Sequence, residues 1–195
     1  GYETAHIGKW HMGNDGQPRP GYDVWVSYDG HGRLHDPTLN EGGRYVKHTG
    51  YVTDIMNEMA VDFVGRRHDK PWSLFFAHKA VHPDAEQAAD GTFAMEGYRA
   101  APRHQDLYRD GVFPMRPNVL TPAEIVKSKP AWAEAFELRK TEKAQLLHQA
   151  IHSGGQEEVR LRACMMAAVD EGVGLLFEAL ERTGQLDNTI ILFLG

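Results

Sequence analysis

Two short apolar runs constrain the fold of this 195-residue chain more than any other feature. They are WSLFFA at residues 72–77 and TIILFL at residues 189–194, and turn-forming residues flank both. Runs of this length are typical of strands buried within a parallel sheet. Apolar residues recur at helical spacing ahead of each run, over residues 51–67 and 156–183. This alternation of helix and strand predicts an α/β fold, with a mainly parallel sheet flanked by helices.

The remaining segments are assigned from turn signals and shorter apolar patterns. They are a strand at residues 3–7, a strand or aromatic loop at 22–28, a hairpin at 40–47, loops with one short helix at 83–119, a short helix from 121, and a surface helix at 131–152. His31 and His35 lie in a polar, glycine-rich segment, so we expect both side chains to be exposed to solvent.

Charge and cysteine content exclude several classes of protein. The 21 Lys and Arg residues against 27 Asp and Glu residues give a formal net charge of −6, and no basic block suits nucleic acid or an anionic membrane surface. An anion site must therefore be a local concentration of positive charge. The single cysteine, Cys164, excludes an internal disulfide, and its place in the 156–183 helix predicts a small buried side chain. No run approaches the roughly 18 apolar residues of a membrane span.

The first stretch of the chain, GYETAHIGKWHMG, carries the clearest chemical signal. In an extended chain residues two apart share a face, so Lys9 and His11 would project together and Trp10 would point the opposite way. A permanent cation beside a titratable imidazole suits a sulfate or phosphate oxygen. From spacing alone, a solvated loop is the other interpretation.

The whole stretch resembles the second signature of the sulfatase family nearly position for position. The resemblance implies that Lys9 and His11 line a sulfate site, beside a formylglycine made from Cys or Ser. The later stretch FFAHKAVHPD is similar to a family strand that leads to a sulfate-contacting His, which can protonate the leaving oxygen. His82 falls at that place, although Pro83 follows it directly where the family usually has an intervening residue. Lys79 is interpreted as structural.

Two weaker likenesses, over residues 37–55 and 167–195, extend the resemblance to sulfatases acting on carbohydrates. Asp170 in the second stretch is predicted to lie mid-helix as a packing residue. In the family an Asp-Asn pair that binds calcium follows this strand, and we expect that pair beyond Gly195. The nucleophile motif Cys/Ser-x-Pro-x-Arg fits neither Cys164 nor Ser128. Residues 1–195 are therefore expected to form a single partial catalytic domain, with the formylglycine and the Ca²⁺ ligands outside it and no metal ligands within it.

The resemblance implies a parent protein that is a sulfuric ester hydrolase acting on a sulfated carbohydrate or aryl sulfate. Hydrated formylglycine would attack sulfur, while Lys9 neutralises the sulfate, His11 assists the formylglycine hydroxyl and His82 protonates the leaving group. The fragment alone is expected to be inactive. A phosphomonoester or phosphonate ester hydrolase and a non-catalytic sulfated-glycan binder are the alternatives. Many relatives are exported, so a periplasmic or secreted location is compatible, while location and oligomeric state stay open.

Overall fold

The structure, a computed structural model, describes residues 1–87, 93–114 and 155–194. Seven strands and two long helices make up its regular elements in these ranges. In chain order they are β1 (Glu3–Gly8), β2 (Val24–Ser27), β3 (Thr38–Glu41), β4 (Arg44–Lys47), α1 (Val52–Gly65), β5 (Trp72–Ala77), β6 (Asp84–Gln87), β7 (Phe93–Gly97) and α2 (Gln156–Arg182). A short 3₁₀ helix at Leu186–Asn188 follows α2.

Five of the strands form one mixed sheet in the order β4-β3-β2-β1-β5. Strand β1 pairs in parallel with β2 on one side and β5 on the other, whereas β3 pairs antiparallel with both β2 and β4. Consecutive residues Ala5, His6 and Ile7 are all buried, as expected for a strand covered on both faces. The α/β fold class is therefore confirmed, together with the strands predicted at 3–7, 22–28 and 72–77 and the 40–47 hairpin.

The two helices pack against each other, and a polar contact lies at their closest approach. The Asn57 amide on α1 donates to the Ala168 carbonyl on α2 at 2.9 Å, and both residues are buried. A Cβ at Gly172 would lie 2.1 Å from Asn57 Oδ1, so only glycine lets the helices meet this closely. Cys164 is fully buried in this layer, which confirms its prediction as a small core side chain.

Two predictions for the second half of the chain are wrong. Residues 189–194 form no strand, and Ile190 and Leu194 are almost fully exposed, because an apolar run becomes a strand only where another strand offers it hydrogen bonds. Part of the 83–119 segment forms the hairpin β6-β7 rather than loops with a helix. The helices predicted from residue 121 and at 131–152 lie outside the described residues. Within the described ranges, neither helix has the length and apolar composition of a membrane span.

Candidate anion-binding site

The candidate site lies where three parallel strands end. Strands β2, β1 and β5 are neighbours and run in the same direction, so the segments that follow them leave the sheet at one edge. This is the edge at which open α/β sheets bind ligands. Five of the basic side chains in these segments form what we call the cationic edge. They are Lys9 and His11 after β1, His31 after β2, and Lys79 and His82 after β5.

Glycine at position 8 makes the end of β1 possible. Its φ is 125°, and a Cβ there would lie 1.8 Å from the Ala77 carbonyl oxygen at the end of β5. Any side chain would push the two strand ends apart. In the observed arrangement the Lys9 backbone N–H donates to the Ala77 oxygen at 2.8 Å. The segments carrying Lys9 and Lys79 are thereby held side by side.

Trp10 anchors the same segment in an aromatic cluster. Its ring lies 5.2 Å from His6 and 5.3 Å from Trp25, measured between centroids. His6 is fully buried and packs on the Phe75 ring 5.5 Å away, and burial lowers the pKa of its imidazole. His6 is therefore a packing residue, and Trp10 fixes the segment from which Lys9 and His11 extend.

Three imidazoles form a row along the cationic edge. His31 lies between the other two, with ring centroids 5.6 Å from His11 and 4.9 Å from His82. The His31 and His82 rings are stacked, with their planes 28° apart. His11 has φ 52°, a left-handed conformation that is uncommon outside glycine and is often found at functional sites. The chain is therefore not extended at His11 as predicted, yet Lys9 and His11 both face His31.

Lys79 lies beneath this row rather than at the surface. Its side chain is only 2% exposed, and its ammonium donates to the carbonyl oxygens of His31 at 2.8 Å and Pro83 at 3.1 Å. The Pro83 oxygen also accepts a hydrogen bond from His82 Nδ1 at 2.8 Å. A carbonyl can only accept, so Nδ1 carries the proton and Nε2 is the nitrogen left for a ligand.

The cationic edge carries positive charge that its members do not neutralise. Burial, followed by the charge of Lys9, lowers the pKa of Lys79 to about 8. Burial also lowers the pKa of His82 to about 4, with the charges of Lys9, Lys79 and His31 adding to the effect. The pKa of His31 falls for the same reasons. Cations that lower one another's pKa in this way form a site suited to an anion, which relieves the repulsion.

The structure brings Lys9, His11 and His82 together, as the sequence implied. Sequence reasoning missed His31, which was expected in solvent but is half-buried in the row, and His35 is half-buried as well. No local sequence signal marks His31, because its place at this edge depends on the parallel pairing of β2 with β1. His78 takes no part, since its Nε2 lies 2.9 Å from Asn57 Oδ1 in the helix layer. Lys79 is structural in its contacts, but it is buried and belongs to the site.

A family model described as Sulfatase matches residues 1–195. The chain belongs to the sulfatase family. It is 28% identical to the N-acetylglucosamine-6-O-sulfatase of Bacteroides thetaiotaomicron over 246 aligned residues, which cover 99% of this chain and 41% of that protein. It is 23% identical to the human N-acetylglucosamine-6-sulfatase, covering 99% of this chain and 33% of the human protein. The sulfatase chain thus spans less than half the length of these relatives.

Solved structures agree with this assignment. The sulfatase chain matches a protein in complex with its substrate D-glucosamine-2-N,6-O-disulfate, with a TM-score of 0.66, 25% identity, and coverage of 97% of this chain and 46% of that one. A second structure, in complex with k-i-k-neocarrahexaose, matches with a TM-score of 0.57 and 23% identity over 96% of this chain and 36% of that one. The second likeness shows the fold alone.

The described part of this chain does not fit a metal centre. No group of three or more His, Cys, Asp or Glu side chains in the described ranges could hold a metal ion. The buried Asp84 at the edge of the site is already engaged, since its Oδ1 accepts from the Leu34 N–H at 2.9 Å and its Oδ2 faces Arg99. Cys164 is buried in α2, so it is not placed as a nucleophile. The described residues therefore supply a cluster of basic side chains, and none of their His, Cys, Asp and Glu side chains form a group of three or more that could hold a metal ion.

Proposed function

We propose that the protein containing this chain hydrolyses a sulfate ester of a carbohydrate, and that Lys9, His11 and His82 form the wall that binds the sulfate group. One observation carries the proposal: two lysines and three histidines meet at the carboxyl edge of the sheet in a chain of the sulfatase family. An anionic substrate supplies the negative charge that these residues lack among themselves.

Lys9 is the main cation for the sulfate oxygens. It is half-buried, and burial lowers the pKa of its ammonium, so the charge sits in a less polar environment than bulk water. Electrostatic interactions there are stronger than in water. His11 lies exposed on the same segment. Its imidazole is suited to holding a proton of the attacking hydroxyl.

His82 is suited to protonate the leaving sugar oxygen through Nε2, since Nδ1 already donates to the Pro83 carbonyl. The pKa of His82 is about 4, because burial and the neighbouring cations favour the neutral imidazole. A bound sulfate ester offsets the charges of Lys9 and Lys79, which raises the pKa of His82 and favours the imidazolium. The substrate thereby promotes protonation of the acid that its own cleavage requires.

A formylglycine supplies the nucleophile in the sulfatase family, and we propose that it and the Ca²⁺ ligands belong to segments other than residues 1–195. The described residues contain no cluster fit for calcium, so no step is assigned to the metal. The contribution of this chain is then binding, orientation and proton transfer. Residues 1–195 would accordingly form part of one catalytic domain and be inactive alone.

The substrate class follows from the relatives. Bacterial and human relatives are named for sulfate at the 6 position of N-acetylglucosamine, and the matched structure holds a glucosamine with a 6-O-sulfate. We therefore propose a 6-O-sulfated glucosamine unit as the substrate.

The test is an assay of the whole protein that contains this chain on two esters of identical sugar, N-acetylglucosamine 6-sulfate and N-acetylglucosamine 6-phosphate. We expect release of sulfate and little release of phosphate. His82→Ala should lower kcat by roughly 10²–10⁴-fold, the usual contribution of a general acid. His48→Ala is the matched control, because His48 pairs with Glu41 on the β3-β4 hairpin, and it should keep full activity.

The other outcomes separate the alternatives. Preferential release of phosphate would replace the proposal by a phosphomonoester hydrolase. Binding of the sulfated sugar without release of sulfate would replace it by a glycan-binding protein. If His82→Ala retained full activity on the sulfate ester, the assignment of the leaving-group acid would be wrong.

A further inference from the structure

We propose that Lys79 is a positioning residue for His82: its buried ammonium ties the His31 and Pro83 carbonyls together and so sets the orientation and protonation of the His82 imidazole. The inference rests on the proposed function, because it assigns Lys79 to the residue proposed to protonate the leaving group. It assigns the buried Lys79 ammonium a role in addition to electrostatic attraction of the sulfate.

The hydrogen bonds around Pro83 carry the first step. One carbonyl oxygen accepts from both Lys79 Nζ, at 3.1 Å, and His82 Nδ1, at 2.8 Å. The Lys79 ammonium therefore holds the Pro83 oxygen in place, and that oxygen orients the His82 ring. The His82 backbone N–H also donates to the Lys79 carbonyl at 2.9 Å, so the two residues close a tight turn. His82 can reorient only if this turn opens.

The second carbonyl bound by Lys79 belongs to His31, the residue whose ring stacks on His82. Lys79 Nζ donates to the His31 oxygen at 2.8 Å, and the His31 ring stacks on His82 with centroids 4.9 Å apart. Carbonyls from two separate loops thus converge on one ammonium. Each loop supplies one contact to His82, the Pro83 oxygen or the His31 ring, and the ammonium holds the two loops in fixed positions relative to each other.

The surroundings of His82 also assign Lys79 an electrostatic effect. The charged and titratable groups that act on His82 are Lys9, Lys79 and His31, and His11 lies next to His31. Asp84 acts on Lys79 and raises its pKa, but it only partly offsets the burial and the charge of Lys9. Removing the Lys79 charge should raise the pKa of His82, while Lys9 and His31 continue to lower it.

A solely structural lysine gives a different result from a positioning one. If Lys79 only held the loops together, its loss would lower stability and leave the titration of His82 unchanged. If it positions His82, its loss must also move the pH at which His82 takes up a proton. The titration therefore separates the two roles.

The experiment follows the pH titration of the His82 imidazole by NMR in the whole protein, with the resonance assigned by its absence in His82→Gln. Lys79→Met removes charge and donors, and Lys79→Gln removes the charge while keeping an N–H donor. We expect Lys79→Gln to raise the pKa of His82 by about one unit, and Lys79→Met to raise it by less, because Lys79→Met also loosens the Pro83 carbonyl whose hydrogen bond raises this pKa. Lys79→Gln also serves if Lys79→Met does not fold. Lys47→Met, at an exposed position on β4, is the control and should leave the titration unchanged.

Activity gives the second readout. Because His82 must be protonated in the substrate complex, the alkaline limb of the kcat profile should move to higher pH in both variants. Lys79→Met should also lower kcat about tenfold or more with a smaller change in KM, and Lys79→Gln should lose less. An unchanged His82 titration in both folded variants would overturn the proposal.

The two readouts keep this inference separate from the proposed function. The NMR titration needs no turnover, so it tests the Lys79 arrangement even in a protein that does not cleave the sulfate ester. A shifted titration without hydrolysis would support the positioning role and reject the sulfatase reaction. Hydrolysis with an unshifted titration would support the sulfatase reaction and reject the positioning role.

Discussion

Two charged clusters in this sulfatase chain are built in opposite ways. At the cationic edge, which holds Lys9, Lys79 and the histidine row, burial lowers the pKa of each group for which a shift is resolved, and neighbouring positive charges add to the effect at all of these groups except Lys9. In the second cluster, which we call the helix-side cluster, Arg103 donates to Asp54 on α1 at 2.7 and 2.8 Å and to Glu171 on α2. His104 donates to the same glutamate at 2.7 Å.

The two clusters differ in how their charges affect one another. In the helix-side cluster, the hydrogen bonds that Arg103 donates to Asp54 and Glu171 raise the pKa of Arg103 and lower the pKa of Glu171. Each charge there stabilises its neighbour, so the cluster ties α1 to α2. The cationic edge lacks such balance among its own side chains, which makes it electrostatically less favourable. That cost is consistent with a site that is completed by an anionic ligand.

Removing the central cation of the edge should have the largest effect. Lys9→Ala in the whole protein is expected to lower kcat/KM for the sulfate ester by about 10²-fold or more, because a preorganised charge on the reacting group is lost. The melting temperature should stay the same or rise slightly, since a half-buried, uncompensated cation is removed. Kinetics and thermal unfolding of the same preparation measure both effects. Lys47→Ala is the control, and a Lys9→Ala protein that unfolds early would contradict the comparison.

Filling the space between α1 and α2 should instead lower the free energy of unfolding. Gly172→Ala puts a methyl group 2.1 Å from Asn57 Oδ1, and Asn57 is held by its bonds to Ala168 and His78. We expect a loss of about 1–3 kcal/mol in the free energy of unfolding, typical of overpacking, measured by urea denaturation. Gly174→Ala lies two residues away with no heavy atom within 4 Å. It should stabilise α2 by about 0.5–1 kcal/mol. Equal effects of the two substitutions would reject the close packing.

Breaking the helix-side cluster should have a smaller effect on stability. Arg103→Ala removes a bidentate pair and a second carboxylate contact from a half-exposed side chain, so we expect a loss of about 1 kcal/mol that shrinks in high salt. The kcat/KM of the whole protein should be unchanged, because none of these residues belongs to the cationic edge. A fall in kcat/KM without a fall in stability would show that the two clusters are coupled.

Much of the fold could be predicted from the sequence because the patterns are local. The helical spacing over 51–67 and the apolar run at Trp72–Ala77 each carry their own signal. The strand predicted at 189–194 was wrong because strand pairing depends on a neighbour that the pattern cannot supply. The β6-β7 hairpin was missed for a related reason, since residues 83–97 lack strong alternation and the pairing is decided by tertiary contacts.

The site residues also divide into those that a local pattern predicts and those that depend on tertiary contacts. Lys9, His11 and His82 were found because they fall within motif-like stretches. The position of His31 depends on which strands are neighbours, and the burial of Lys79 depends on two carbonyls, one of them 48 residues away in the chain. Neither relation is visible in one segment of sequence. The residues that position the site are therefore harder to find than those proposed to contact the substrate.

The pH dependence of stability offers the finest test of the comparison. His78 and His82 both have a pKa lowered to about 4, but burial alone causes the shift at His78, whereas cations add to it at His82. A histidine with a lowered folded pKa stabilises the protein above about pH 6.5, and that stability is lost as the pH falls towards 4. Each His→Gln variant should therefore lose less stability than wild type over this range. Compared with sodium chloride at equal ionic strength, added sodium sulfate should reduce the loss of stability at low pH that His82 causes. We expect this response in His78→Gln but not in His82→Gln. The same sulfate response in both variants would mean that the two histidines do not differ as the structure indicates.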